Sequence, residues 1–219
     1  MKDNIPRLEI IDTEKWPRHA YFQHYSTLGK CAFNVTGNLD VSHFLLQCKN
    51  ENIKFYPIFV SVISHVVNAL PEFRMGVDEQ GQPGIWNYVS PCYMVFHDED
   101  KTFSCLFSEY SIDRNVLYQR IVENIDRFKN TKGLFPQPLA QNSFNTSCLP
   151  WLDFAAFSLN LYGDSYLLPI ITWGRYSLQQ GKTLLPLSVQ IHHAAADGYH
   201  VSLFYEKLQD ELNKTWPKQ

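Results

Sequence analysis

The sequence predicts an α+β fold, a two-layer sandwich in which a mixed β-sheet is flanked by helices. Three observations carry that expectation: short stretches of strand-like alternation, longer stretches of apolar residues at helical period, and an irregular order that makes no repeating βαβ array. With 219 residues, 45% hydrophobic and 15% aromatic, the chain can fill one sizeable core, read as a single domain over 1–219.

Asp40 is placed to cap a helix through Val41, Phe44, Leu45 and Cys48 that ends at Asn50-Glu51-Asn52. Pro57 suits the first turn of a second helix. There Ile58, Phe59, Val62, Ile63, Val66, Val67 and Leu70 form a wide apolar stripe, and His65 shares the opposite, solvent face with Ser61, Ser64 and Asn68. From Phe73 to Ser108 the pattern turns to short strands: a hairpin turn at 78–82, then strands at 85–89, 92–96 and 102–107. A long helix over 112–128 would bury Val116, Leu117, Ile121 and Ile125 and turn Arg114, Arg120, Glu123, Asp126 and Arg127 to water. Beyond the Pro136 and Pro138 loop, strands are expected near 144–147, 154–161, 167–173 and 184–192. Asp197 or Gly198 opens a final helix with Val201, Phe204, Leu208 and Leu212 facing inward.

Composition narrows the function classes. A net charge of -3 and a pI near 6.2, without a Lys/Arg cluster, give no basis for nucleic-acid binding. The N-terminal Met1-Lys2-Asp3-Asn4-Ile5-Pro6 has no apolar core of a secretory signal, and no run reaches the roughly 20 apolar residues of a membrane span. Five scattered cysteines without a C-x-x-C pair indicate neither a zinc site nor a disulfide framework, and a soluble protein of the reducing cytoplasm is expected.

The run from Leu184 to Gly198 carries the chemistry. In a strand, Leu185, Leu187, Val189, Ile191 and His193 share one face, whereas Ser188, Gln190 and His192 share the other. His193 therefore ends the hydrophobic face, where an imidazole is costly to desolvate unless something uses it. Burial disfavours a charged imidazole, and the neutral form is the one a general base needs. Metal ligation by His193 and Asp197 is disfavoured, because the strand ends between them and no H-E-x-x-H pattern accompanies them. A nucleophile triad lacks its G-x-S-x-G or C-G-x-C motif. A third reading is a base without a protein nucleophile, in which His193 takes a proton directly from an acceptor substrate.

His192-His193-Ala194-Ala195-Ala196-Asp197-Gly198 matches the H-H-x-x-x-D-G signature of the CoA-dependent acyltransferase superfamily. Further stretches occur in family order: Trp16-Pro17-Arg18, Lys54-Phe55-Tyr56-Pro57, Pro71-Glu72-Phe73-Arg74-Met75, Val95-Phe96-His97, Thr102-Phe103-Ser104, Phe135-Pro136, Leu149-Pro150-Trp151, Pro169-Ile170-Ile171-Thr172 and Leu187-Ser188-Val189-Gln190. Together they resemble the chloramphenicol acetyltransferases of the trimeric, non-hexapeptide-repeat type. The resemblance implies acetyl transfer from acetyl-CoA, a co-substrate and not a permanently bound cofactor, to the primary hydroxyl of chloramphenicol. It implies a homotrimer with active sites between subunits. His193 would be the base, and Ser147 would stabilise the tetrahedral oxyanion, a contribution of roughly 3 kcal/mol by analogy with other oxyanion donors. Asp197, paired with Arg18, would hold the loop and the imidazole. Tyr25, Phe103, Phe135, Leu159 and Thr172 would form the antibiotic pocket, and Lys54, Tyr56, Arg175 and Tyr176 would line the CoA channel.

The chain departs from that pattern at Ala196, where a cysteine is frequent, at His24, where a phenylalanine is usual, and at Gly29, where a leucine often walls the pocket. The stretch 161–165 is also shorter than expected and suggests a trimmed loop. Two rivals were weighed: a dihydrolipoamide acyltransferase core, whose usual lipoyl domains and Ala/Pro linkers are not in the sequence, and a non-catalytic drug-sequestering protein, against which the retained His193, Ser147, Asp197 and Arg18 argue.

Overall fold

Ten strands and five helices make up a computed structural model that describes residues 5–159 and 166–215. The chain order is β1 (Leu8–Ile10), α1 (His19–Thr27), β2 (Ala32–Asp40), α2 (Ser42–Asn50), α3 (Phe55–Asn68), a 3-10 turn (Pro71–Arg74), β3 (Met75–Val77), β4 (Pro83–Trp86), β5 (Ser90–His97), β6 (Thr102–Phe107), α4 (Arg114–Phe128), β7 (Ser143–Leu149), β8 (Ile170–Gly174), β9 (Ser177–Gln179), β10 (Lys182–His192) and α5 (Gly198–Asn213). The main sheet has the order β2-β10-β8-β7-β5-β6, with β9 paired to β10. The β5–β7 and β7–β8 pairs are parallel and the others antiparallel, so the sheet is mixed, as expected. A small sheet, β1-β4-β3, lies apart.

One face of the main sheet is buried by helices. Leu185, Leu187, Val189 and Ile191 of β10 are all buried, and α3 brings Phe59 to within 5.0 Å of the Trp173 ring of β8. Each such side chain taken from water contributes about 1.5–3 kcal/mol. The four inward residues expected for α5 are its four buried ones, and Asp197 caps it.

The opposite face was expected to be polar and is, yet Ser188, Gln190 and His192 are buried. Ser188 and Gln190 meet the segment 153–159, which is not the strand expected at 154–161; residues 160 and 161 lie outside the described residues. The Ser188 hydroxyl donates to the Phe157 carbonyl (2.8 Å), and the Gln190 amide oxygen accepts from Leu159 N–H (3.1 Å). The segment is thus held by side chains where a strand would use its backbone.

Other expectations need correction. Strand β8 starts at Ile170, not 167, after a proline that has no N–H for a ladder. Strand β4 stops at Trp86, where Asn87 turns its side chain to Tyr88 N–H and to the N-terminal segment. Helix α2 starts after Val41, although Asp40 still accepts from both the N–H and the hydroxyl of Ser42. Helix α4 starts at Arg114 with Asp113 as its cap; Val116 is exposed, and Tyr118 takes its place in the buried stripe. Arg114 pairs with Glu211 of α5, and Arg120 reaches the Glu109 and Tyr110 carbonyls, so neither simply faces water. His65 is not a free surface histidine, because its ring nitrogens lie 2.8 Å and 3.0 Å from the carbonyls of Ser61 and Ile112. Ser61 and Ser64 beside it are fully buried.

Cys92 and Cys105 form a disulfide where none was expected. Strand register explains the pairing: Cys92 lies opposite Phe107 and Met94 opposite Cys105, so the two cysteines are diagonal neighbours on one face of β5–β6.

Gly174 closes β8 where no side chain fits. A Cβ there would stand 2.5 Å from the Leu152 carbonyl and 3.0 Å from the Phe154 ring. Gly174→Ala is expected to destabilise the chain by about 1–3 kcal/mol, the usual overpacking cost. An unchanged denaturant midpoint would show that the 152–154 segment yields freely.

Candidate active site

The turn after β10 is built to aim one imidazole. Ala195 and Ala196 N–H both point back to the His192 carbonyl, at 2.9 Å and 3.3 Å, and all three alanines of the turn are fully buried. The tight turn brings the Ala196 carbonyl to 3.1 Å from His193 Nδ1. A carbonyl only accepts, so this contact puts the proton on Nδ1, and in the neutral ring Nε2 then holds the lone pair. The ring is also held from its sides: Tyr25 stacks on it at 3.9 Å and 12°, and Phe33 lies tilted at 5.0 Å. The backbone N–H of His193 donates to the Cys31 carbonyl at 2.9 Å. His193 is half-buried, just past the strand end.

Asp197 closes the turn. Its Oδ2 accepts from Arg18 Nη1 at 2.5 Å and its Oδ1 from Tyr199 N–H at 3.0 Å. Burial works against the charged carboxylate, but Arg18 and His200 outweigh it and hold its pKa below the ordinary aspartate value. Arg18 also reaches towards the His193 carbonyl. The sequence reading groups His193, Ser147, Asp197 and Arg18 as catalytic and Tyr25 with the antibiotic pocket; the structure places His193, Asp197, Arg18 and Tyr25 side by side.

Ser147 is elsewhere. It lies opposite Thr172, which lies opposite Ser188, so Ser147 stands two strands from β10. His193 is five residues further along β10. With strands ~4.8 Å apart and ~3.3 Å per residue, the two are about 19 Å apart in one chain. No side-chain rotation brings them into contact.

Ser147 instead lines a cleft of about 730 Å³ with Tyr56, Phe103, Trp151, Arg175 and Tyr176. The cleft exists because the parallel β5–β7 ladder stops at Tyr93 and Thr146, leaving Met94 and Ser147 unpaired across the gap. The Tyr56 hydroxyl donates to the Met94 carbonyl at 2.6 Å, and burial pushes its pKa well up. Cys148 is the thiol in this cleft, and burial pushes it up to about 12, which makes it a poor nucleophile. Thr172 lies beside Ser147 with a buried hydroxyl that has no hydrogen-bond partner among the described residues.

Five expected pocket and channel residues lie outside the cleft lining: Tyr25, which stacks on His193, Thr172, which pairs with Ser147, and Lys54, Phe135 and Leu159. Lys54 is an exposed residue at the start of α3, next to Phe55 and Tyr56, which do line it. Phe135 is exposed in a shallow groove formed by 135–139, and Leu159 is exposed on the covering segment. The stretch 161–165 lies outside the described residues. Phe33 and His200 carry no role in the sequence reading, and Trp151 enters it only within the Leu149-Pro150-Trp151 stretch. For His200 a signal existed, since Asp197 and His200 have the spacing of a helix capping box. His24, a departure from the family pattern, lies edge-on to Tyr25 at 4.9 Å, and its Nε2 fills the place where a Cβ on Gly29 would be, 2.6 Å away. The two departures are therefore one packing arrangement.

The family model for chloramphenicol acetyltransferase matches residues 7–209. The chain belongs to that family. Chloramphenicol acetyltransferases of Clostridium perfringens and Campylobacter coli are 37% and 40% identical to it; the alignments cover 96% and 93% of this chain and 98% of each relative. A solved chloramphenicol acetyltransferase superposes with a TM-score of 0.84 at 22% identity, over 94% of this chain and all of that one. The dihydrolipoamide acetyltransferase of Azotobacter vinelandii shares the fold, with a TM-score of 0.67 at 18% identity over 88% of this chain and 86% of that one.

The Arg18–Asp197 pair gives a pH test. An aspartate with a lowered folded pKa stabilises the fold above its unfolded pKa, and that stability is lost as pH falls through the folded value. Asp197→Asn should therefore cost about 1–2 kcal/mol at neutral pH, between exposed and buried pairs because the Asp197 side chain is 35% exposed. The melting curves of mutant and wild type should converge only as pH falls below the ordinary aspartate range. A gap that is constant with pH would mean the charge of Asp197 is irrelevant to stability.

Proposed function

We propose that this chain transfers acetyl from acetyl-CoA to the primary hydroxyl of chloramphenicol, and so confers resistance to the antibiotic. The observation that carries the reading is the contact of His193 Nδ1 with the Ala196 carbonyl, which favours a proton on Nδ1 and leaves Nε2 as the base in the neutral ring. Nε2 takes the hydroxyl proton as the alkoxide oxygen attacks the thioester carbonyl. The Ser147 hydroxyl donates to the tetrahedral oxyanion. Collapse breaks the carbon–sulfur bond, and the CoA thiolate leaves with the proton returned by the imidazolium. No acyl-protein intermediate is needed, in keeping with the unreactive Cys148 thiol.

A separation of about 19 Å within one chain supports a reading in which the two groups of one reaction come from two chains. His193, Tyr25 and the Arg18–Asp197 pair come from one subunit; Ser147, Phe103 and Thr172 come from the next. We read the assembly as the homotrimer that the family resemblance implies. Phe96, Phe103, Phe135, Trp151 and Leu159 are exposed on the single chain, an apolar surface that a second copy would cover. Phe135 and Leu159 enter the antibiotic pocket in this reading only across that contact. Tyr56, Arg175 and Tyr176 face the acyl donor, with Lys54 and Arg175 the cations for its phosphates. Among the described residues no helix is long and apolar enough to cross a membrane. The reading puts the enzyme in the cytoplasm, with acetyl-CoA.

Thiol release from acetyl-CoA tests this directly and should depend on added chloramphenicol. His193→Ala should lower kcat by at least about 10⁴-fold, the upper range for a lost general base. Ser147→Ala should lower kcat by about 10²-fold with little change in KM, as expected for a contact made in the transition state. Antibiotic binding without thiol release would support sequestration, and release only with a dithiol acceptor would support the lipoyl reading.

A further inference from the structure

His200 lies behind the catalytic turn and touches neither substrate site. Its Nδ1 is 2.8 Å from Asp197 Oδ1 and 3.2 Å from the Asp197 N–H. Its Nε2 is 3.5 Å from Glu72 Oε1 on the 3-10 turn. The two Nδ1 contacts cannot both be hydrogen bonds at one time, since one needs a proton on Nδ1 and the other a lone pair. Each protonation state nevertheless binds Asp197. The neutral ring accepts from the backbone N–H as a capping-box partner, and the imidazolium donates to the carboxylate. In both states Nε2–H faces Glu72. The charged groups around His200 are thus Asp197 on the turn, Glu72 on the 3-10 turn and, beyond Asp197, Arg18 at the start of α1.

Asp197 follows directly on Ala196, whose carbonyl fixes the His193 proton. Arg18 grips the Asp197 side chain from one side only. His200 supplies the opposite restraint and ties the turn to a different part of the fold. The His200 side chain is only 13% exposed, so water competes poorly for these contacts.

We propose that His200, braced by Glu72, is a positioning residue for acetyl transfer: it clamps Asp197 so that the Ala196 carbonyl stays where it holds the proton on His193 Nδ1. The inference rests on the proposed reaction. Loss of the clamp frees the imidazole to change tautomer or tilt, which slows proton transfer without altering either substrate's binding surface.

The test is steady-state acetylation of chloramphenicol, across pH, by wild type, His200→Ala, His200→Gln and Glu72→Gln, with thermal midpoints measured alongside. His200→Ala should lower kcat about tenfold or more, keep both KM values within twofold, and move the acid limb of kcat/KM. His200→Gln, which can reach back to the Asp197 N–H as glutamine does in a capping box, should recover kcat to within about threefold of wild type and restore the limb. Glu72→Gln should lower kcat two- to fivefold and decides the matter if His200→Ala does not fold. Unchanged kcat in His200→Ala or in Glu72→Gln would overturn the clamp, as would a loss of kcat that tracks the melting temperature and is not recovered by glutamine. A wild-type chain without antibiotic-dependent thiol release would overturn the proposed reaction and the clamp together. An active wild type with an unimpaired His200→Ala would overturn the clamp alone.

Discussion

Strand register sets the constraint from which the rest follows. Ser147, Thr172 and Ser188 lie in one row across β7, β8 and β10. His193 leaves that row along β10 and passes the end of the strand before it turns. Backbone hydrogen bonds hold this geometry, and a one-residue slip would exchange the two faces of the sheet, so it is not adjustable. In the proposed reaction, a base and an oxyanion donor set on the same sheet in this way would have to come from two chains. The proposed interface site is the arrangement that removes the conflict, and it gives the exposed aromatic residues around the cleft a partner surface to meet.

Within each half of the site the restraints are local and strong. At the His193 end, one carbonyl, one stacked tyrosine and one ion pair fix the tautomer and the tilt of the ring. For the proposed proton transfer, such restraints would act as preorganisation, setting the ring before substrate arrives. At the Ser147 end, an interrupted parallel ladder opens the sheet itself, so the donor hydroxyl lies inside a cleft and not on a flat face. Burial of Tyr56 and Cys148 keeps their hydroxyl and thiol protonated at neutral pH and leaves Ser147 as the hydroxyl next to the gap.

Much of the His193 half was legible in the sequence because its signals are local. Alternation along 184–193 marks the strand and its faces, Asp197 is a helix cap by residue type and position, and the spacing of Val201, Phe204, Leu208 and Leu212 fixes the inner face of α5. Thr102–Phe107 was legible for the same reason, as a strand between two turns. The non-local features were not. The 153–159 segment has strand-like composition but meets side chains of β2 and β10 in place of a backbone partner, and nothing near it in sequence says so. Cys92 and Cys105 become neighbours only through β5–β6 register. The separation of Ser147 from His193 depends on strand order, which no local pattern encodes; the motif resemblance implied sites between subunits but did not say which residues stand apart within one chain.

The most direct test of the central claim is subunit complementation. His193→Ala and Ser147→Ala chains, each crippled as a pure homo-oligomer, are unfolded and refolded together or co-expressed, and acetylation is compared with that of each parent. If base and oxyanion donor come from different chains, mixed assemblies regenerate intact sites wherever a Ser147→Ala subunit presents its His193 to the Ser147 of a His193→Ala neighbour. Activity should then rise to a substantial fraction of wild type, on the order of a quarter at equal mixing, far above either parent. Mixed assemblies no more active than the average of the parents would show that one chain supplies both groups and would contradict the account.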